Sequence, residues 1–140
     1  MLKVKFYETT EIDDSLLRFA VILSGYQGKW VYCKHKNRNT WEVPGGHREE
    51  NEAIADAARR ELFEETGAKH FELIPVCVYS VKNETESYGM LFYADITELG
   101  DLPDSEIETI AFFSEAPAEL TYPLIQPALT EKIKTNLCMK

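Results

Sequence analysis

Cysteine is scarce in this chain. Its three residues, Cys33, Cys77 and Cys138, are widely spaced and odd in number. They form no CxxC pair of the kind that binds zinc, and no framework of a secreted disulfide scaffold. Long apolar runs are missing as well; no stretch approaches the roughly 20 residues that a membrane-crossing helix needs. The opening MLKVKFYETTEIDD carries no apolar core of a secretory leader. Together these absences predict a reduced, soluble, cytoplasmic protein with no membrane partner.

Positive charge is also in short supply. Lys and Arg number 15 against 24 Asp and Glu, which leaves a formal net charge of -9 and a pI near 4.8. That argues against a broad basic face gripping long nucleic acid. It leaves a small phosphorylated ligand open, because a bound divalent cation reverses the local field. No Gly/Ser linker, repeat or low-complexity tract divides the chain. Residues 1–140 therefore read as one domain, long enough to bury a core of its own. Monomer and homodimer are both compatible with this composition.

What is present alternates between strand and helix signals. LKVKFYE alternates in polarity and reads as a strand. Leu17 to Leu23 and Lys29 to Cys33 read as two strands joined by a tight turn around Gly25 and Gly28. NTWEVPGG is a short extended piece ending in a Pro-Gly-Gly turn. A helix is predicted from about Asn51 to Thr66, with Asn51 as N-cap, Glu52 in its first turn and Gly67 as its stop. FELIPVCVYSV and SYGMLFYADIT follow as paired strands around KNETE. LGDLPDSE is a loop, IETIAFFS a strand, and Pro123 to Leu137 a closing amphipathic helix. Strands on both sides of a central helix indicate a mixed sheet flanked by helices, an α/β (α+β) domain.

The central helix poses an electrostatic problem. At about 3.6 residues per turn, Ile54, Ala57, Ala58, Glu61, Leu62 and Glu65 fall on one face, the spacing of a core-facing stripe. Glu64 lies at its edge. The acids thus continue an apolar stripe. Glu61 has Ala57, Ala58, Glu64 and Glu65 at its i±3 and i±4 positions, with no cation among them. Like charges at this spacing cost about 0.2–0.5 kcal/mol per pair even when exposed, and burial adds to that cost. A solvated Glu-rich helix is one reading. The other is a hard divalent cation: Mg²⁺ takes oxygen ligands and completes its shell with substrate phosphates. Gly45 and Gly46, just upstream, either form a simple turn or open their backbone groups to a ligand.

From Gly46 to Ala68 the chain resembles the Nudix box, Gly-x5-Glu-x7-Arg-Glu-apolar-x-Glu-Glu-x-Gly-apolar. Its fixed positions here are Gly46, Glu52, Arg60, Glu61, Leu62, Glu64, Glu65, Gly67 and Ala68. The resemblance implies an α/β/α sandwich with a mixed sheet, the box forming a loop-helix-loop. It also implies an Mg²⁺-dependent hydrolase, with Mn²⁺ as an alternative metal, acting on the pyrophosphate linkage of nucleoside diphosphate derivatives. By the same carry-over, Glu61, Glu64 and Glu65 are metal ligands and acid–base groups, and the Gly45 carbonyl joins them. Arg60 orients the carboxylates through Glu64 or by reaching back to Glu52, and Glu52 and Gly67 are structural. The resemblance implies that the metal would supply an activated water for attack on phosphorus. Glu106, with Glu108 second, is the candidate for a further metal-binding acid from the loop DLPDSEIE; both are equally readable as surface acids.

Substrate signals are thinner. Lys34, Lys36 and Arg38 cluster in CKHKNRNTW, and Lys34 and Arg38 are candidate substrate contacts, with an idle basic loop as the alternative. Gly46 is a further candidate through its backbone. His47 reads as an exposed loop residue or a phosphate contact. Trp30, Trp41, Tyr88 and Phe92 supply either a base-stacking wall or core. The proline and tyrosine that mark some ADP-ribose and dinucleoside polyphosphate hydrolases are absent around Lys82 to Thr85. The compact form resembles the group that cuts nucleoside triphosphates, oxidised ones included, to monophosphate and pyrophosphate. The rival readings are a nucleotide-sugar or ADP-ribose pyrophosphatase, an RNA 5′-pyrophosphohydrolase and a non-catalytic nucleotide-binding module.

Overall fold

The structure is a computed structural model that describes residues 2–137, so Cys138 lies outside the described residues. Its elements run β1 (Lys3–Tyr7), a 3-10 turn (Asp14–Leu16), β2 (Leu17–Tyr26), β3 (Lys29–His35), β4 (Gly45–His47), α1 (Ile54–Thr66), β5 (Ala68–Lys82), β6 (Glu86–Leu99), β7 (Ile107–Phe113) and α2 (Gln126–Asn136). One seven-stranded sheet takes the order β1-β5-β6-β2-β3-β7, with β4 added against β2. β2 and β6 pair in parallel, and the other pairs are antiparallel. The expected mixed sheet is present.

Alternation along the strands divides the core in two. Ile22, Val31, Val78, Met90 and Phe92 pack on one face with Ile54, Ala57, Ala58 and Leu62 of α1. Leu23, Tyr32, Tyr79 and Leu91 point the other way and pack with Leu129 and Ile133 of α2. Because successive side chains of a strand leave opposite faces, one sheet serves two helices, which makes a three-layer α/β/α sandwich. Ala57 and Ala58 are fully buried and let α1 approach the sheet closely. Among the described residues no helix is long and apolar enough to cross a membrane.

Several local expectations change. The helix starts at Ile54, not Asn51; Asn51 has φ +63°, and the N-cap position falls on Ala53 with no side-chain cap. The closing helix starts at Gln126, not Pro123. The β2–β3 turn is Gln27–Gly28, with φ +51° and +81°, a pairing of left-handed residues that suits a two-residue hairpin. Gly25 lies inside β2 opposite Trp30, where a Cβ would stand 2.6 Å from the Tyr93 hydroxyl. Gly45 and Gly46 form no free turn: they are β4, paired with Val21 and Ala20. The places of Gly25 and of Gly45 and Gly46 depend on partners distant in sequence, Tyr93 and β2.

Gly67 does end α1, at φ +78°, and its N–H donates to the Phe63 carbonyl at 2.8 Å. A Cβ there would lie 2.7 Å from the Asp101 carbonyl oxygen. Gly67→Ala therefore combines left-handed strain with a backbone clash. A loss of roughly 1–3 kcal/mol is expected in urea unfolding, against near-neutral behaviour for Ala at the exposed helix position Arg59.

Candidate active site

α1 lays its second half against β4, and the two glycines of β4 make that approach possible. The Glu61 carboxylate rests over Gly46, where a Cβ would stand 2.5 Å from its carboxyl carbon. One turn on, Glu65 Oε1 accepts from the Gly45 N–H at 2.8 Å. Glu64 sits at the more open edge, its side chain 46% exposed. The three glutamates thus occupy the helix side next to β4, continuous with the buried stripe of Ala57, Ala58 and Leu62.

Arg60 organises the approach. Its Nε and Nη2 donate to Glu52 Oε2 and Oε1 at 2.8 and 2.9 Å, and Nη2 also donates to the His47 carbonyl at 3.0 Å. Nη1 donates to Glu61 Oε1 at 2.6 Å and lies 3.7 Å from Glu64 Oε1. Of the two expected roles for Arg60, reaching back to Glu52 carries the short bonds. Glu61 also has a cation after all, its immediate neighbour in sequence. A search limited to i±3 and i±4 misses it, because an arginine held sideways by Glu52 can turn its free end to the next residue. Glu52 lies ahead of the helix, not in its first turn, and Arg60 and the Glu49 N–H hold its carboxyl at about 2. Arg48 ties the same loop to the 3-10 turn, donating to the Glu52 carbonyl at 2.6 Å and to Asp14 Oδ2 at 2.8 Å.

Burial works against the charge of the other two acids. It raises the Glu61 carboxyl despite the opposing pull of Arg60. It pushes Glu65 up to about 8, with the Gly45 N–H opposing and the charges of Glu61, Glu42 and Glu64 adding to the rise. Glu65 is a carboxylate site with no cationic side chain bonded to it among the described residues. Its oxygens, with those of Glu61 and Glu64, are the hard donors that Mg²⁺ or Mn²⁺ takes, so the donor chemistry fits a divalent cation. As the side chains stand, with Glu61 turned to Arg60 and Glu65 to Gly45, no three acidic, histidine or cysteine groups converge on one point among the described residues.

The remaining candidates have partners of their own. By alternation from Val31 and Tyr32, Lys34 leaves the sheet on the α2 face and pairs with Glu108 at 2.7 Å. Glu106 is 91% exposed and reaches only His35 Nδ1, at 3.9 Å. Lys36 Nζ lies 3.8 Å from Asp104. Lys34 and His35 of β3 thus pair with Glu108 and Glu106 of the segment that leads into and begins β7. Arg38 Nη1 donates to Glu42 Oε1 at 2.9 Å. His47 packs its ring on Phe19, centroids 4.6 Å apart. Trp30 and Trp41 stack edge-on with Tyr93 and Phe113, and Phe92 is core.

Glu42 and His35 went unnoticed in the sequence. Glu42 is buried and stands 3.3 Å from His35 Nε2. A charged residue between Trp41 and Val43 in a short extended segment is the signal that marks it.

Known proteins resemble this chain in sequence and in fold. A family description, NUDIX domain, matches residues 15–132. The chain belongs to the NUDIX family. Among structures, the Bacillus subtilis pyrophosphohydrolase BsRppH superposes with a TM-score of 0.81 at 25% identity, covering 99% of this chain and 93% of that one. Among sequences, the RNA pyrophosphohydrolase of Bartonella henselae is 40% identical over 68 residues, 42% of this chain and 39% of that protein. YtkD of Bacillus subtilis, provisionally named an 8-oxo-dGTP diphosphatase, is 33% identical over 102 residues, 71% of this chain and 64% of that protein. The match therefore spans less than two thirds of the length of either sequence relative.

Two outcomes follow from the burial of these acids. The folded protein keeps a proton on Glu65 up to about pH 8, whereas the unfolded chain releases it near the ordinary glutamate value of about 4.3. Stability of the metal-free protein is thus lowered progressively between those values and fully above the upper one. Glu65→Gln is expected to melt with wild type at pH 4 and several degrees above it at pH 8.5 in chelator, measured by scanning calorimetry. Gly46→Ala is expected to displace the Glu61 carboxylate, visible as changed shifts of the Glu61 and Arg60 side chains in NMR spectra of a folded protein.

Proposed function

We propose that this protein hydrolyses the pyrophosphate linkage of nucleoside diphosphate derivatives with Mg²⁺ or Mn²⁺, and that nucleoside triphosphates, cut to monophosphate and pyrophosphate, are its main substrates. The observation that carries this reading is the seating of Glu61 and Glu65 on Gly46 and Gly45, with Glu64 beside them and Arg60 clamped to Glu52. Relatives named pyrophosphohydrolase and diphosphatase support the reaction class.

Glu61, Glu64 and Glu65 would hold the divalent cation through their carboxylate oxygens. When bound, the cation supplies Lewis acidity, lowering the pKa of water and offsetting charge on the oxygens of the cleaved linkage. Arg60 keeps Glu61 and Glu64 oriented by fixing its own guanidinium on Glu52 and the His47 carbonyl. The Gly45 N–H holds Glu65 against β4. Buried among other acids, Glu65 is a site where a proton is taken up or released near neutral pH. The glycines keep the acids close to the sheet, where the Glu61 side chain is 12% exposed.

A second reading, hydrolysis of RNA 5′ ends, has support from the RNA pyrophosphohydrolase relative. The charge distribution weighs against it. Lys34, Lys36 and Arg38 each stand beside a carboxylate, of Glu108, Asp104 and Glu42, and the net charge is -9. A strand track for several nucleotides requires free cations.

With Mg²⁺, a panel of nucleoside triphosphates, sugar nucleotides and triphosphorylated RNA separates these readings: triphosphate cleavage is expected to be fastest, releasing pyrophosphate. EDTA is expected to abolish turnover and Mn²⁺ to restore it. Glu64→Gln and Glu65→Gln should each lower kcat by two or more orders of magnitude with circular dichroism unchanged. Near-normal turnover of either variant at saturating Mg²⁺ would remove that residue from the site.

A further inference from the structure

Arg48 occupies one of the unspecified box positions between Gly46 and Glu52, so the box pattern assigns it no role. Its guanidinium is nonetheless heavily engaged. Nε donates to the Glu52 carbonyl at 2.6 Å, and Nη2 donates to Asp14 Oδ2 at 2.8 Å. Nη1 donates to the Asp14 and Leu17 carbonyls at 2.9 and 3.4 Å. The Arg48 N–H also donates to the Arg18 carbonyl at 2.8 Å. One residue of the box loop therefore bonds both the start of β2 and the residue that carries the Arg60 ion pair.

The anchor on the far side is itself held. Asp13 Oδ1 accepts from the Ser15 N–H and from the Ser15 hydroxyl, both at 3.0 Å, and the Leu16 N–H donates to the Asp13 carbonyl at 2.9 Å. Asp14 thus sits in a closed 3-10 turn that runs straight into β2. The segment it steadies has little else to fix it. Glu49, Glu50, Asn51 and Ala53 are exposed, and the helix that follows has no side-chain cap. One flank of residues 49–53 borders a cavity of about 610 Å³ that also touches Ser15 and Arg18. No apolar side chain of this segment is buried, so polar bonds set its place.

Glu52 is gripped from both ends, its carbonyl by Arg48 and its carboxylate by Arg60. The first grip refers Glu52 to β2. Glu52 in turn aims Arg60, whose Nη1 donates to Glu61 Oε1 and lies 3.7 Å from Glu64 Oε1. Without Arg48, the Glu52–Arg60 pair would swing with residues 49–53. An Arg60 no longer held sideways would close fully on Glu61 and Glu64 and cover the oxygens that a cation needs. Resting on the metal-binding role proposed above for the three glutamates, we propose that Arg48 and Asp14 are positioning residues of this hydrolase. They form a latch between the 3-10 turn and the box loop that keeps Arg60 from competing with the cation.

The test uses three variants of the full chain. Arg48→Ala removes the latch, and Arg48→Lys keeps the charge without the fork that spans Glu52 and Asp14 at once. Asp14→Ala cuts the outer bond at a side chain that is 67% exposed, where an ion pair adds little stability. Mn²⁺ binding, read from loss of the free-ion signal in electron paramagnetic resonance, is expected to weaken roughly tenfold or more in both Arg48 variants, the usual loss when a residue behind metal ligands is removed. A smaller loss is expected in Asp14→Ala. The Mg²⁺ concentration for half-maximal turnover should rise in the same order, and the Arg60 Nε–H resonance should move in metal-free NMR spectra. A residue that only stabilises the fold would lower the melting temperature and leave Mn²⁺ affinity unchanged below it. Wild-type Mn²⁺ affinity in folded Asp14→Ala and Arg48→Lys overturns the latch and leaves the metal-site reading standing. No Mn²⁺ binding by wild type, even with a nucleoside triphosphate present, defeats that reading, and the latch with it.

Discussion

The close approach of an acidic helix face to two residues without side chains is the contact on which the rest of this molecule is arranged. Glu61 lies over Gly46 and Glu65 takes the N–H of Gly45. A Cβ on Gly46 would displace the Glu61 carboxylate, and a shift of β4 by one position would break both arrangements. The apolar half of the stripe supplies the force that holds them there. Ile54, Ala57, Ala58 and Leu62 are buried against the sheet, and their transfer from water, on the order of 1.5–3 kcal/mol for a large side chain, offsets part of the cost of drawing carboxylates in after them. Helix packing and site geometry are in this sense one interaction.

The electrostatics follow from that packing. Burial raises Glu61 and Glu65, and the protein compensates sparingly: one arginine, itself anchored on Glu52, and one backbone amide. Other cations are committed elsewhere, Arg48 to Asp14 and Lys34 to Glu108. The site is left with more negative charge than its own partners neutralise. An anionic substrate approaching such a site is repelled unless a divalent cation accompanies it. Under the proposed function, metal and nucleotide would therefore bind together more tightly than either binds alone.

The segment after β6 contributes in another way. Gly100 N–H donates to the Gly67 carbonyl at 2.8 Å and Ser105 Oγ donates to the Glu64 carbonyl at 3.3 Å. The same segment then reaches β3 through the Lys36 N–H, which donates to the Glu106 carbonyl at 2.9 Å. The end of α1 and the end of β3 are thus joined by one acidic loop. Its carboxylates Asp104 and Glu106, with Glu108 at the start of β7, answer the cluster of Lys36, His35 and Lys34, so a patch that looks available for phosphate when read along the chain is largely spoken for in space.

Read without coordinates, the chain already determines a good deal. The apolar stripe at helical spacing, the glycine that stops it and the alternating strands depend on neighbours within a few residues, and local periodicity reports such features faithfully. The three glutamates and Arg60 are legible for the same reason, since one short helix carries them all. What only the tertiary structure decided is everything set by strand register and by the crossing of distant segments. Gly45 and Gly46 pair with β2 and make no free turn. Asn51 sits in a left-handed bend and caps nothing. Lys34 faces away from α1. Glu42 is buried beside Arg38 and Thr121, 79 residues further along the chain. A strand shifted by one residue would send side chains such as those of Lys34 and Glu42 to the opposite face, and no local pattern records which register is taken.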